Sequence, residues 1–256
     1  MMKIVILGTG NVARFFLQQL ADQKVDVVQL YNHRAESAQD LSTQYGIPLV
    51  TETNAINPDA DLYLFCIKDQ AITGLAAGIK LKPTQTAVHC AGSQSLDLLA
   101  ATGINTAVVW PLYSINKNKL PQERTVPLVV EASNSFAAQQ AEAFAALISN
   151  HITPVSYAQR QYLHLSAVMV NNFTNHLLAI GAQICAEQSL PYDLLKPIIA
   201  QTFTSAMIQD PSSLQTGPAV RNDVRTMDVH VQLLQTHPEW ESLYRAISNS
   251  IEKMHT

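Results

Sequence analysis

The chain has 256 residues, 47% of them hydrophobic and 7% aromatic, a globular rather than a disordered composition. Its net charge is −4, and no Lys/Arg cluster stands out, which argues against a nucleic-acid footprint or a polybasic membrane patch. Charged residues make up only 14%, against roughly 25% in a typical domain, which leaves apolar surface for a second copy of the chain to cover.

The first part alternates short apolar strands with amphipathic helices. Strands are predicted over Lys3–Leu7, Val25–Tyr31, Asp61–Ile67, Thr86–His89, Thr106–Trp110, Val126–Val130 and Ile152–Val155. Helices are predicted over Val12–Ala21, Ala35–Tyr45, Ala71–Ile79, Leu96–Ala101 and Ser135–Ser149. This alternation implies a mostly parallel, doubly wound α/β sheet covered on both faces. From Ser156 onward only helices are expected: Ala158–Glu187, Tyr192–Met207 with Pro197 inside it or marking a kink, Pro218–Gln235 and Pro238–Lys253. The expected organisation is a nucleotide-binding domain over residues 1–155 and an all-α substrate and dimerisation domain over 156–256.

The start, Met1-Met2-Lys3, runs straight into a strand and leaves no room for a signal peptide. No run approaches the length of a membrane span. Cys66, Cys90 and Cys185 lie far apart and without a CxxC pair, so neither a disulfide framework nor a zinc site is expected. Together these features imply a soluble, cytoplasmic protein with no metal and no membrane partner.

Gly8-Thr9-Gly10-Asn11-Val12-Ala13 is a GxGxxA turn between an apolar strand and a helix. In that context Gly8 makes the tight turn, Gly10 lets backbone approach a pyrophosphate, and Ala13 keeps helix and strand close. The helix N-terminus then presents free N–H groups to the phosphates, a Rossmann-type arrangement. The second strand ends in Asn32-His33-Arg34, with no acidic residue where an NAD site usually places one. A guanidinium there suits a 2′-phosphate, so NADP(H) is the expected cofactor. Cys66-Ile67-Lys68 ends the next long strand, and its backbone should line the cofactor.

Further candidates follow. His89-Cys90-Ala91-Gly92-Ser93 ends another strand and is expected near the nicotinamide, with His89, Ala91 and Gly92 against the cofactor; its amides and the Ser93 hydroxyl are suited to a substrate carbonyl or carboxylate. Tyr113, after Trp110-Pro111-Leu112, is a candidate substrate contact. His164, Asn171 and Asn175, spaced by seven and four, fall on one line of the predicted long helix. There His164 could exchange the proton that accompanies hydride transfer, and the two Asn could orient substrate. Arg221 could hold a substrate carboxylate, with Asp223 orienting it. Each has a bland alternative: a backbone-bonded histidine, a structural polar network, a helix cap.

These residues carry a family resemblance. The first part resembles the NADP-binding domain of pyrroline-5-carboxylate reductase and of β-hydroxyacid dehydrogenases. The whole chain is similar to bacterial NADP oxidoreductases, some labelled by analogy to coenzyme-F420-dependent enzymes, that join this domain to a helical domain of unknown function. The resemblance rests on GTGNVA at 8–13, YNHR at 31–34, HCAGS at 89–93, WPL at 110–112, LHLSAVMVNNFTNH at 163–176 and QTGPAVRND at 215–223. It implies an NADP(H)-dependent oxidoreductase acting on a small carbonyl, imine or hydroxy acid. Two departures stand out: Ala91 replaces the family's Ser, and Val168 occupies the position of the β-hydroxyacid dehydrogenases' catalytic Lys. They leave two alternatives open: an NADP(H)-binding sensor or scaffold without catalysis, and a protein that pairs NADP with a deazaflavin.

Overall fold

Strand β1 (Lys3–Leu7) is a KIVIL run whose last four residues are buried. It feeds α1 (Asn11–Leu20), which buries Ala13, Phe15, Phe16 and Leu17 against the sheet. Then come β2 (Asp26–Tyr31), α2 (Gln39–Tyr45), β3 (Leu49–Val50), β4 (Leu62–Phe65), α3 (Asp69–Ala77), β5 (Thr86–His89), β6 (Thr106–Pro111), β7 (Leu128–Ala132), α4 (Ser135–Ile148) and β8 (Ile152–Pro154). The computed structural model describes every residue except Asp22, Lys24 and Thr256.

The eight strands form one sheet in the order β3-β2-β1-β4-β5-β6-β7-β8. Every pairing is parallel except β6 with β7. Because side chains alternate along a strand, Ile4 and Ile6 face one layer and Val5 and Leu7 the other. One layer packs around Phe16 and Phe144, whose rings meet edge-to-face at 5.2 Å. The other gathers Tyr63, Phe65 and Ile72. The chain reverses direction across the sheet between β1 and β4. Their carboxyl ends lie side by side, and such a switch point opens a crevice for ligands.

Among the elements up to β8, three differ from expectation. The short strand β3 was too brief to stand out as a strand pattern. The predicted helix at Ala35–Tyr45 is a 3₁₀ turn, Ala35–Ser37, followed by α2. Leu96–Ala101 forms only a 3₁₀ turn over Leu96–Leu99, started by the Ser95 hydroxyl accepting from Asp97 N–H.

After β8 the described residues form helices and turns alone. Helix α5 (Tyr157–Ala167) opens with a capping box of Ser156 and Gln159. A π-helical stretch, Val168–Phe173, leads to α6 (Thr174–Glu187). Then follow α7 (Lys196–Ala206), α8 (Val224–Leu233) and α9 (Pro238–His255). Pro197 sits in the first turn of α7 and kinks nothing, since its missing N–H has no helical partner there. The helix expected from Pro218 begins only at Val224, because positive φ at Asn222 interrupts it and Asp223 caps it. None of the helices among the described residues is long and apolar enough to cross a membrane.

The chain divides into two compact units, Met1–Met169 and Val170–Thr256. The change from strands to helices near residue 155 and the division between units are thus different places. Helix α5 groups with the sheet because its Arg160 is wholly buried there. The division falls inside the π-helical stretch.

Candidate functional site

The turn after β1 is built for close approach. Gly8 has φ +102°, and a Cβ on it would lie 2.4 Å from the Cys66 carbonyl oxygen at the end of β4. No L-residue fits both conditions. Gly10 is the N-cap of α1 and donates no side chain to it, so the first amides of the helix have no side-chain cap. Val12 and Ala13 contribute backbone to this N-terminus, and Ala13 is buried against the sheet. The Asn11 side chain turns away and donates to the Ile115 carbonyl at 2.9 Å. Glycine backbone, uncapped amides and the helix dipole together suit a pyrophosphate.

Beside this turn lies a cavity of about 730 Å³. It is lined by Gly8, Thr9 and Gly10, by Tyr31 to Arg34, by Cys66 to Lys68, and by Ser37, Thr53, Ala71, Gly74 and Leu75. Asn32 donates to the Thr9 hydroxyl at 2.6 Å, and that hydroxyl donates to the Ser37 carbonyl. The Asn32 side-chain oxygen accepts the Arg34 N–H at 3.0 Å. This chain of bonds fixes the end of β2 and sets Arg34 at the rim, where its Nε donates to His33 Nε2 at 3.1 Å. Arg34, His33 and exposed Lys68 line the cavity, and among the described residues no carboxylate does. The residues present therefore fit a dinucleotide cofactor, by the space a Cβ at Gly8 would fill and by the cationic rim.

Cys66 and Cys90 bring their sulfurs within 3.9 Å at the ends of β4 and β5. Both are free. The contact with Cys66 and then burial hold the Cys90 thiol well above its ordinary range.

The turn after β5 is organised differently from expectation. His89 is fully buried and does not line the cavity. Its Nδ1 accepts the Ala91 N–H and its Nε2 faces the Ser95 carbonyl, each at 3.2 Å, which makes it the neutral Nε2–H tautomer. Burial, and then the charge of Arg160, push its pKa down to about 4. His89 shapes the turn and leaves the Ala91 amide engaged. The Ser93 hydroxyl accepts from the Gln94 side chain at 3.2 Å.

The residue that sequence reasoning missed is Arg160. It is 0% exposed. Nη1 donates to the carbonyls of Ala91 (3.1 Å) and Gly92 (2.7 Å), and Nη2 to that of Gln94 (2.6 Å). Nε donates to Glu131 of β7 at 2.9 Å. The available signal was its spacing: Arg160 lies one turn before His164, so the two share a face of α5. His164 does meet the turn. A Cβ on Gly92 would lie 2.5 Å from the Trp110 ring and 2.8 Å from the His164 ring. The two rings pack with centroids 5.5 Å apart.

Residues 3–91 match the family model described as NADP oxidoreductase coenzyme F420-dependent. Residues 126–251 match a domain of unknown function, DUF2520. The putative NADP oxidoreductase BF3122 from Bacteroides fragilis is 31% identical, with 98% of each chain covered and a TM-score of 0.89. The chain belongs to this NADP oxidoreductase family. Protein TM1727 from Thermotoga maritima is 20% identical over 98% of this chain and 99% of that one, with a TM-score of 0.81. A 1-pyrroline-5-carboxylate reductase from Streptococcus pyogenes is 14% identical over 98% of both chains, with a TM-score of 0.64. At those identities the last two share the fold. No curated protein matches the sequence.

In this oxidoreductase-family chain the remaining candidates are divided between the two units. His164 belongs to the first unit; Asn171, Asn175, Arg221 and Asp223 belong to the second. Asn171 lies inside the π-helical stretch Val168–Phe173, whose wider turn breaks the α-helical spacing of seven from His164. The predicted single line of His164, Asn171 and Asn175 is corrected accordingly. Asn171 and Asn175 are exposed. Asp223 accepts from Thr226 N–H and Oγ1 and is the N-cap of α8, while Arg221 is exposed. Tyr113 is 57% exposed in the segment after β6.

The buried His89 makes a pH prediction. Unfolded histidine protonates near 6.5, the buried one only near 4. Between these values the unfolded chain binds the extra proton. The contribution of His89 is therefore complete above about pH 6.5 and is lost as pH falls toward 4, by about 3 kcal/mol. Denaturant titrations at about pH 7.5 and about pH 4.5 should show H89Q losing correspondingly less stability between the two conditions than wild type.

Proposed function

We propose that this protein transfers hydride between NADP(H) and a small carbonyl, imine or hydroxy-acid substrate. The observation that carries the reading is the cavity at the strand switch point, with its glycine cradle at one end and a cationic, carboxylate-free rim at Asn32–Arg34. Gly8 to Ala13 hold the pyrophosphate through backbone, with Thr9 bracing the turn. Asn32, His33 and Arg34 take the 2′-phosphate, and backbone at Cys66, Ile67 and Lys68 borders the cofactor. When bound, NADP(H) supplies or accepts the hydride. The chain's own residues handle the rest. His164, beside Gly92, holds the proton that goes to a carbonyl oxygen or imine nitrogen on reduction and receives it back on oxidation. Backbone at Ala91 and Gly92 and the Ser93 hydroxyl border the reacting centre. Tyr113, exposed in the segment after β6, orients substrate.

Titration of nicotinamide fluorescence tests the cofactor. NADPH is expected to bind more tightly than NADH, and R34A should weaken NADPH roughly tenfold to a hundredfold, the effect of one charge-assisted contact, while leaving NADH unchanged. Binding of neither nucleotide would remove the reading. For the chemistry, label at the nicotinamide C4 position should pass stereospecifically to a carbonyl or imine substrate. His164→Ala should slow that transfer by about 10² to 10⁴. Cofactor binding without any label transfer would instead favour a sensor role.

The protein works as a homodimer through its helical unit. Helices α6, α7 and α8 contain no buried residue. Leu194, Ile198, Met207, Ile208 and Leu233 are each at least 60% exposed, an apolar surface that water would leave uncovered at a cost. Light scattering at micromolar concentration should read the mass of two chains; a monomer would refute the pairing.

A further inference from the structure

We infer that Arg160 is a positioning residue that turns the backbone amides of the 91–95 turn outward to take a carboxylate of the substrate. The inference rests on the hydride-transfer reading and specifies its substrate class: a small carbonyl or imine compound bearing a carboxylate.

The guanidinium has five N–H donors in a planar fork. Its contacts use that fork fully, on three turn carbonyls and on Glu131. Burying such a pair is costly and adds little stability over an apolar replacement, so the arrangement calls for a reason beyond stability. Peptide geometry supplies one. The chain has no cis peptide among the described residues, and in a trans peptide the N–H points opposite to the C=O. Carbonyls of Ala91, Gly92 and Gln94 drawn toward Arg160 therefore aim the N–H groups of Gly92, Ser93 and Ser95 the other way. None of these three amides has an acceptor among the described residues. Gly92 is itself buried, and a buried N–H without an acceptor is rare in a finished protein.

The surroundings select the ligand's charge. Adjacent outward amides, as at Gly92 and Ser93, form the kind of backbone concavity that receives anions. Glu131 would repel an anion, but it is turned onto Arg160. His89 is neutral and committed to its two backbone partners. The Ser93 hydroxyl accepts from Gln94 and retains its own proton to donate. The His164 ring lies against Gly92, so a carboxylate on these amides would hold its neighbouring carbon beside the imidazole. A carboxylate oxygen, carrying negative charge, accepts from such amides more strongly than a neutral carbonyl oxygen.

Oxalate, small and inert to hydride, is the probe. In amide-resolved NMR spectra of the full protein, with and without NADP⁺, oxalate should move the Gly92, Ser93 and Ser95 signals. R160M should weaken oxalate at least about tenfold, and R160K should fall between R160M and wild type. NADPH affinity should stay within about twofold in both, which separates a role at the turn from general damage to the fold. If oxalate leaves those amides unmoved in wild type, the carboxylate assignment is overturned. If R160M, or R160K should R160M fail to fold, binds oxalate as tightly as wild type, the role of Arg160 is overturned. Failure of wild type to bind NADPH would remove the oxidoreductase reading, and the oxalate response without cofactor would still decide the anion site.

Discussion

The carbonyl oxygen of Cys66 stands where a side chain on Gly8 would be. Everything at the cofactor end follows from that near-contact between the ends of β1 and β4. The strands can approach so closely only because residue 8 lacks a Cβ and tolerates positive φ. The approach aims the following turn at the crevice and leaves the first turn of α1 uncapped there. Thr9, held by Asn32 and Ser37, then ties the glycine turn to the end of β2 and brings Arg34 to the rim. Glycine turn and cationic rim are thus one connected backbone device.

The turn after β5 depends on a second constraint of a different kind, an ion pair removed from water. Arg160 reaches from α5 and Glu131 from β7, and between them they hold the turn that follows β5. Removing one partner of such a pair leaves an uncompensated buried charge and typically costs about 3–5 kcal/mol. The same guanidinium helps keep His89 neutral, so the turn carries a single fixed pattern of donors and acceptors. It also explains why α5 groups with the sheet rather than with the helices that follow it in sequence.

The two halves of the candidate site were not equally legible. The glycine turn, Asn32–Arg34 and Cys66–Lys68 could be read because each is a local pattern at a strand end, where backbone alone dictates position. His89 was misread as a cofactor neighbour. Its strand position was right, but only packing reveals that it points inward to Ser95. Arg160 was invisible for the converse reason: an arginine in the first turn of a helix is ordinarily solvated, and its partners lie 29 and 66 to 69 residues away. Asp223 was read as an orienting residue, yet its carboxylate caps the helix that begins one residue later.

Local sequence, by its periodicity and its glycines, determined the strand–helix alternation, the switch to helices after residue 155 and the glycine turn between β1 and α1. These are set within a few residues by side-chain period and allowed φ. Tertiary structure alone decided the antiparallel β6–β7 pairing, the π-helical stretch that shifts Asn171 away from the line of His164, and the burial of Arg160. Each of those depends on which distant groups are available to satisfy a backbone or a charge, and no local pattern encodes that.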